Sequence, residues 1–391
     1  MTLRPLTLMG IIISIVTGIA LGVLAHLWSR DDQPVQASRT LIEAMREINS
    51  NYVEEINQDE LLGHAIEGMI RGLDPHSDYL DPAAFESLQT HTTGKFGGIG
   101  IELGMVDGYF TVIAPMDDTP AANAGMQAGD RITHINDESV RGMKLIDLVR
   151  KMRGAPGTTV ALNILRKDQS QPINFTLTRQ QIEIASVRGR MLEPGYGYLR
   201  ISQFQNNTGR ALEETLYELT EKGRLPLAGL VIDLRNNPGG TLQSSVEVAD
   251  HFLEKGLIVY TEGRLRSSFG KYKATEGDTL AGAPIVVLIN SGSASASEIV
   301  AGALQDHGRA TLIGSTSYGK GSVQSVLPLR GNQALKLTTA YYFTPNGRTI
   351  HETGIEPDIT LEGDDEAILA EALMRLKAQL DGKLQARLTN E

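Results

Sequence analysis

The sequence predicts an α/β protein core that is preceded by a helical region and a β-rich inserted domain, ends in a C-terminal helix, and carries an N-terminal membrane segment. Residues 6–28 include no charged side chain, glycine-punctuated apolar runs begin at Gly94, and apolar runs alternate with helical patterns after Arg179. The predicted segments are an anchor or signal with its tether, a helical domain, the β-rich domain, the α/β core and the C-terminal helix. Their boundaries are 1–37, 38–92, 93–182, 183–362 and 363–391.

The composition excludes several classes of function. Of the 391 residues, 41% are hydrophobic and 21% are charged, which is ordinary for a folded protein and argues against multiple membrane spans. A net charge of −11 without a dense Lys/Arg run argues against nucleic acid as a partner. Because the chain has no cysteine, disulfides, thiolate zinc sites and cysteine nucleophiles are excluded.

The N-terminal apolar stretch, residues 6–28, is long enough to cross a bilayer core of about 30 Å. Arg4 and the α-amino group precede it, and Arg30, Asp31 and Asp32 follow it. The positive-inside rule therefore predicts a chain that is tethered to the inner membrane and faces the periplasm. A cleaved signal peptide is the alternative, although no A-x-A-like site closes the stretch.

Between residues 38 and 92 the apolar side chains recur at helical spacing. One stripe runs from Leu41 to Tyr52 and a second from Leu61 to Leu73. Asn57, with Glu60 three residues later, predicts the N-cap of the second helix, and Asp74-Pro75 predicts its end.

Short apolar runs separated by glycines predict the strands of the inserted domain, with one helix near 144–153. The predicted strands are 97–103, 109–114, 130–136, 159–165 and 173–178. The turn Gly97-Gly98-Ile99-Gly100 leads directly into the first strand, which suits a nest of backbone amides that receives a carboxylate while a peptide pairs with the strand edge. The stretch resembles a PDZ domain, and these four residues are its predicted peptide-binding site; a β-domain without a ligand is the alternative.

The α/β core is predicted from four buried strands with helices between them. The strands are 196–201, 230–234, 284–289 and 310–314, and the helices are 208–222, 242–255 and 297–306. In such sheets functional groups gather at the carboxyl ends of the strands. Three loops with unusual composition lie there: 233–240, 290–298 and 315–324.

The third loop also raises a nucleotide-binding alternative. Residues 314–320 fit the first seven positions of the phosphate-binding pattern G-x-x-x-x-G-K-[ST]. The eighth position, which supplies the hydroxyl ligand of Mg²⁺, is Gly321. A P-loop nucleotidase is therefore disfavoured.

The three loops resemble the signature loops of the carboxyl-terminal processing proteases. The segment 72–77, Gly-Leu-Asp-Pro-His-Ser, is similar to the N-terminal signature of the same family. The resemblance covers residues from about 40 to 362, with a PDZ domain inserted where the family carries one. It implies a protease core built from crotonase- and ClpP-like ββα elements.

Carried across residue by residue, the resemblance makes Ser295 the nucleophile, Lys320 the general base and Gln324 the group that orients the lysine. The amide of Ala296 and an amide of Gly239 or Gly240 would form the oxyanion hole, and the sequence leaves open which glycine donates. A serine hydroxyl needs a base, and a lysine serves as one only when its pKa is depressed.

The residues alone leave alternatives at these positions. Ser293 or Ser297 could replace Ser295, and any serine in this turn could be a helix cap. Lys320 alone would be a solvated lysine, and His307 is expected to be a helix-end histidine rather than a triad base. No metal-binding motif is present, and no metal, nucleotide or organic cofactor is implied.

The predicted function is a serine endopeptidase that cleaves exported or membrane-associated polypeptides and recognises their free C-termini through the PDZ domain. The alternatives are an inactive PDZ scaffold and a hydratase or isomerase of the crotonase type. An adaptor protein is a possible further partner. A homo-oligomer is also predicted, because Leu369, Leu373, Leu376 and Leu380 form a stripe on the C-terminal helix; packing of that helix on its own protease core is the alternative.

Overall fold

The computed structural model describes residues 36–389 except 168, 170 and 224–225. The predicted membrane segment, residues 6–28, lies outside the described residues. No helix within the described part of the chain is long and apolar enough to span a membrane. The chain divides into two compact units, Met1–Asp81 and Pro82–Glu391, which are described separately.

The first unit is helical, as predicted. Its described elements are the helix α1 over 36–51, α2 (Gln58–Arg71) and the short strand β1 (Asp78–Leu80). The Asn57 side chain caps α2 by accepting a hydrogen bond of 2.9 Å from the amide of Asp59. The helix ends at Arg71 with Gly72 as its C-cap, so the end comes slightly before the predicted Asp74-Pro75.

The second unit begins with α3 (Pro82–Thr93) and β2 (Lys95–Gly98), which lead into the inserted domain. The elements of this domain are β3 (Ile101–Val106), β4 (Tyr109–Pro115), α4 (Pro120–Asn123), β5 (Arg131–Ile135), β6 (Glu138–Ser139), α5 (Leu145–Met152), β7 (Thr159–Leu165) and β8 (Ile173–Thr178). Its sheet has the order β3-β4-β5-β7-β8, with β6 paired to β5. Val112, Leu148 and Leu162 are fully buried in its core.

One predicted strand of this domain is divided in the structure. The run 97–103 contributes to two strands, because the chain turns at Gly100, which has a φ of 74°. The first part, β2, pairs with β9 (Gln180–Glu183) in a two-stranded ribbon that joins the inserted domain to the core. The positive φ explains the glycine, since an L side chain is strained there.

The α/β core follows the ribbon. Its strands are β10 (Val187–Glu193), β11 (Tyr196–Ile201), β12 (Gly229–Asp233), β13 (Gly256–Gly263), β14 (Gly270–Ala274), β15 (Ile285–Ile289), β16 (Ala310–Gly314), β17 (Ser322–Leu329), β18 (Gln333–Phe343) and β19 (Ile359–Thr360). Its helices are α6 (Thr208–Gly223), α7 (Leu242–Asp250), α8 (Ala296–Asp306) and α9 (Asp365–Thr389). Helix α7 ends before the predicted residue 255.

The central sheet has the order β10-β11-β12-β15-β16-β19, and it is parallel from β11 onward. The predicted parallel α/β core is therefore present. Strands β12 and β15 are buried along their whole length, which explains why their sequences are uninterrupted apolar runs. A second sheet contains β13, β14, β17 and β18. Strand β17 of this sheet begins within the third loop.

The C-terminal helix α9 packs on its own core, which is the alternative considered above. Ile368, Ala372 and Leu376 are buried against strand residues such as Val286 and Ile313. The buried face matches the predicted stripe only in part: Leu376 is fully buried, whereas Leu369, Leu373 and Leu380 are partly buried. The spacing of the leucines indicated a helix, but the shape of the sheet decided which face is covered.

Candidate active site

The predicted catalytic loops meet at the carboxyl ends of two adjacent parallel strands. Strand β12 ends at Asp233 and strand β15 ends at Ile289, and these strands pair in register. The loops that follow are held together because Asn290 Oδ1 accepts a hydrogen bond of 2.8 Å from the amide of Asn236. Adjacent parallel strands end at the same edge of the sheet, so the functional side chains of both loops lie close together there.

Ser295 is the N-cap of α8 and has an unusual backbone conformation. Its φ is 56° and its ψ is −113°. A non-glycine residue in this region carries a strain of about 1–3 kcal/mol, and such residues cluster at functional sites. The strained turn places the Ser295 side chain in a cavity at the start of the helix.

Glu298 joins the nucleophile loop to the lysine loop. Its fully buried carboxylate accepts hydrogen bonds from the amide of Ser295 at 2.6 Å and from the amide of Lys320 at 3.0 Å. It also accepts from the Ser317 hydroxyl and the Gly319 amide, each at 2.6 Å. Burial raises the pKa of Glu298, and these hydrogen bonds oppose that rise. The sequence analysis included Glu298 in the loop but gave it no role.

Lys320 has the environment that a lysine base requires. Burial lowers the pKa of its amine, the nearby positive charge of Lys336 lowers it further, and Glu298 partly opposes both effects. A lower pKa increases the neutral fraction of the amine, and only the neutral form can accept a proton.

Gln324 faces the same cavity but has other hydrogen-bond partners. Its amide donates to the Ser322 hydroxyl at 2.9 Å and to the Thr338 hydroxyl at 3.3 Å. Among the described residues the structure shows no hydrogen bond between Gln324 and Lys320. The predicted orienting contact is thus absent from this arrangement, although both side chains line one cavity.

Tyr342 is a site residue that the sequence analysis missed. Its hydroxyl donates a hydrogen bond to the carbonyl of Lys320, and its ring is buried. Burial raises the pKa of Tyr342 well above its ordinary value, and the nearby negative charge of Glu298 raises it further. The sequence signal was only a tyrosine in an apolar strand, which by itself indicates core packing.

The two candidate oxyanion glycines differ in how their amides are used. The Gly239 amide donates to Asn237 Oδ1 at 2.9 Å, and the Gly239 carbonyl accepts from the amide of Phe204 at 2.9 Å. In a trans peptide the carbonyl and the next amide point in opposite directions, so the Gly240 amide points away from Phe204. A Cβ atom on Gly239 would lie 2.7 Å from the Cβ of Ser295, which explains the glycine.

A cavity of about 480 Å³ brings the predicted site together. It is lined by all six predicted residues of the catalytic and oxyanion sites, Gly239, Gly240, Ser295, Ala296, Lys320 and Gln324, and by Tyr342. Within the described part of the chain, no group of three or more His, Asp and Glu side chains is placed to hold a metal ion.

The other hydroxyls and the histidine considered for catalysis lie elsewhere. Ser293 and Ser297 are fully buried, and their hydroxyls donate to the carbonyls of Leu234 and Asn237 at 2.8 and 2.9 Å. The ring of His307 contacts the carbonyl of Leu257 at 2.7 Å at the far end of α8. Ser293 and Ser297 are therefore structural residues in this arrangement.

The predicted carboxylate-binding turn lies between β2 and β3. The carbonyl of Ile99 accepts from the amide of Ala121 at 3.0 Å, and the carbonyl of Gly100 accepts from the amide of Met116 at 2.9 Å. Because these carbonyls are bonded inward, the amides that follow them point outward. Strand β3 is the outer strand of its sheet within the described residues, so a free edge begins at the turn.

Comparison with known proteins identifies the family. Residues 195–361 match peptidase family S41, residues 111–166 match the PDZ domain, and residues 29–84 match the N-terminal domain of the activating protease CtpB. A carboxy-terminal-processing protease of Bartonella bacilliformis is 45% identical over 318 residues, which cover 81% of this chain and 73% of that protein. The chain belongs to the carboxy-terminal processing protease family.

Further carboxy-terminal processing proteases match over similar lengths. One from Bacillus subtilis is 36% identical over 339 residues, which cover 86% of this chain and 70% of that protein. Among solved structures, the photosystem II D1 C-terminal processing protease is 30% identical with a TM-score of 0.47, over 82% of this chain and 92% of that chain. As a carboxy-terminal processing protease, the chain is a serine-type peptidase, and its inserted domain is confirmed as a PDZ domain.

Proposed function

We propose that this protein is an endopeptidase in which Ser295 is the nucleophile and Lys320 is the general base. The observation that supports this most directly is the shared cavity: Ser295, held at a strained helix N-cap, and Lys320, whose amine has a lowered pKa, line the same space. The alternative serines are engaged with backbone carbonyls. Ser295 therefore has the environment of a nucleophile rather than that of a cap alone.

The reaction has two balanced steps. The neutral Lys320 amine accepts the proton of the Ser295 hydroxyl while the oxygen attacks the carbonyl carbon of the scissile peptide bond. The resulting ammonium returns the proton to the leaving amine, which departs as the C–N bond breaks and leaves an acyl-enzyme. A water molecule, deprotonated by Lys320, then attacks the ester carbon; as the C–O bond breaks, the Lys320 ammonium returns the proton to Ser295 Oγ and the new C-terminus is released.

For the oxyanion hole we propose the amides of Gly240 and Ala296. The amide of Gly239 is already bonded to the Asn237 side chain, whereas the amide of Gly240 points away from Phe204. Ala296 is the first residue of α8, so its amide is unpaired within the helix and lies at the positive end of the helix dipole. Both residues line the cavity that holds Ser295.

Gln324 is proposed to position Lys320 rather than to react. It holds Ser322 and Thr338 across the β17–β18 pair, whose register places Gln324 opposite Thr338. Rotation of its side chain within the cavity would bring the amide to the lysine. That contact would limit the freedom of the Lys320 amine.

Substrate delivery is assigned to the PDZ domain. The turn 97–100 would receive a terminal carboxylate, with the outward amides of Gly100 and Ile101 as donors, and the free edge of β3 would pair with the residues before it. Arg153, at the end of α5, lies over the ring of Phe96 at 4.8 Å and therefore contacts the ribbon that leads to the core. The substrates are polypeptides with accessible C-termini.

The cellular location and the oligomeric state of the protein are proposed from its sequence. The apolar residues 6–28 support a periplasmic enzyme tethered to the inner membrane, with an adaptor as a further partner. A homo-oligomer remains a prediction. The first unit retains exposed apolar side chains such as Met69 and Leu73, which supports a contact through the N-terminal helices.

Digestion of casein tests the proposed chemistry. The wild-type protein is expected to cleave casein, and Ser295→Ala and Lys320→Ala are each expected to abolish cleavage while retaining the circular dichroism spectrum of the wild type. Ser293→Ala serves as the matched control and should retain activity if it folds. Cleavage by the Ser295→Ala protein would overturn the assignment, and an inert wild-type protein would favour the scaffold or the hydratase.

A further inference from the structure

A second cavity, of about 760 Å³, lies between the edge of the central sheet and α6. One wall is formed by the segment that leads into β10 and by β10 itself, and the other wall is formed by α6. None of the proposed catalytic residues lines this cavity. The groove therefore requires an explanation separate from peptide-bond hydrolysis.

Strand β10 offers an open edge along this groove. It is the terminal strand of the central sheet within the described residues and pairs only with β11. Over its 7 residues the outer edge presents unpaired backbone amide and carbonyl groups. In mid-strand, a Cβ atom on Gly189 would lie 2.4 Å from Cγ2 of Thr215, so glycine is what allows the strand and helix to approach closely. An open strand beside a helix is the geometry that binds extended peptides by strand addition.

The open edge carries positive charge that no described residue neutralises. Arg188 and Arg190 are exposed and lie two residues apart, so they share one face of β10. Arg190 lies over the ring of Tyr198 at 4.9 Å, which holds its guanidinium beside the strand. Neither arginine forms an ion pair with another described residue.

Three acidic side chains line the groove, Glu183, Glu214 and Glu218, and none of them is free. Glu183 forms an ion pair with Lys95, and Glu214 forms one with Arg210 at 2.7 Å. The charge that remains available along the strand edge is therefore positive, although the whole chain has a net charge of −11.

The groove also has unused hydrogen-bonding capacity. Asn207, which precedes α6, lines it, and the side-chain amide of Asn207 forms no hydrogen bond with another described residue. Its Oδ1 atom is buried without a donor. A buried acceptor without a donor is unfavourable, and an incoming peptide amide would satisfy it after a small rotation of the side chain.

Charge argues against a second copy of this chain as the occupant. Antiparallel pairing of two β10 strands about Gly189 would place Arg188 of each copy opposite Arg190 of the other. Like charges directly opposite each other destabilise a strand pair.

We propose that the outer edge of β10 binds an extended acidic segment of a partner polypeptide as an added strand. Alternate side chains of the added strand would lie beside Arg188 and Arg190, and the others would lie toward α6, where Ala211 and Leu219 line the groove. The preferred sequence therefore alternates acidic and small apolar residues. This site is independent of the proposed catalytic chemistry and of the PDZ groove.

The test uses a fluorescent peptide of about ten residues, alternating glutamate and valine and amidated at its C-terminus. The amide removes the carboxylate that the PDZ domain would bind, and the protein carries Ser295→Ala so that no peptide is cleaved. We expect saturable binding that weakens with salt, and protection of the β10 amides from hydrogen exchange. The Arg188→Glu/Arg190→Glu protein should bind at least about tenfold more weakly.

Matched controls make the result decisive. Arg264→Glu/Arg266→Glu changes two exposed arginines away from the groove and should leave binding unchanged. A peptide with lysine in place of glutamate, or with methylated alternate amides, should bind much more weakly. Equal binding of the lysine peptide, unchanged binding by the Arg188→Glu/Arg190→Glu protein, or protection only in the PDZ domain would overturn the proposal.

Discussion

The carboxylate of Glu298 accepts a hydrogen bond of 2.6 Å from the backbone amide of Ser295. The same carboxylate accepts from the amide of Lys320, so one buried side chain fixes the backbone of both proposed catalytic residues. Glu298 thereby fixes the separation of the two loops that carry the proposed nucleophile and base.

Glu298→Gln is expected to lower kcat more than it raises KM. One end of a glutamine side-chain amide is an NH2 group, which donates hydrogen bonds but does not accept them. About half of the hydrogen bonds that the Glu298 carboxylate accepts are therefore lost, and the NH2 group faces a protein donor. We expect kcat to fall by about tenfold to a hundredfold, because small displacements of catalytic groups cost about this much. Steady-state peptide cleavage measures this, with exposed Glu262→Gln as the control. An unchanged kcat would show that the loops hold their positions without the carboxylate.

Lys320 is expected to make stability depend on pH. Its pKa is lowered on folding, so between the folded and the unfolded pKa the unfolded chain binds more protons, and stability rises with pH. At pH values below the pKa of Lys320 in the folded protein, the free-energy cost of burying its ammonium group is fully present. Lys320→Met should therefore raise Tm at pH 7, and this gain should shrink toward pH 10.5, the ordinary pKa of lysine. Calorimetry of both proteins across pH measures the difference; a constant gain would contradict the lowered pKa.

Activity is expected to follow the neutral fraction of Lys320, so kcat/KM should rise with pH to a plateau. Lys336→Met removes one of the charges that lower the pKa of Lys320. The rising limb should then move to higher pH, whereas Lys336→Arg should leave it in place. A pH–rate profile of the three proteins decides this, and a lower plateau without a shift would assign Lys336 a structural role only.

The PDZ domain is expected to prefer peptides with a free carboxylate. The outward amides after Ile99 and Gly100 offer hydrogen bonds to a carboxylate, which accepts them more strongly than a neutral amide does. Titration of the Ser295→Ala protein with one peptide as free acid and as amide measures the preference. We expect the amide to bind about tenfold more weakly or worse; equal affinities would refute recognition of the terminus.

Helix α9 is expected to stabilise the core on which it packs. Leu376 is fully buried against the sheet, so Leu376→Ala should lower the free energy of unfolding by about 2–5 kcal/mol. Met374, on the exposed face of the same helix, is the matched control, and Met374→Ala should have little effect on stability. Denaturant unfolding measures both. A loss of oligomer mass in Met374→Ala without loss of stability would show that the exposed face forms a contact between copies.

The sequence by itself predicted the order of elements and the family. Apolar runs of strand length located β12 and β15, because a strand buried on both faces has no polar positions to obscure the pattern. Ser295, Lys320 and Gln324 were found by motif, since the chemistry requires these residue types in these loops. Their convergence on one cavity was then observed in the structure.

The finer assignments rest on the tertiary structure. The sequence could not choose between Gly239 and Gly240, because the choice depends on the Asn237 side chain and on the distant Phe204 backbone. It did not single out Tyr342, whose role comes from strand pairing that brings residue 342 back to the loop containing Lys320. The leucine spacing of α9 identified Leu376 but not Ile368 and Ala372 on the buried face, because that face is set by the shape of the sheet it covers. Local patterns determine local structure, whereas contacts between residues far apart in the chain depend on how the elements pack.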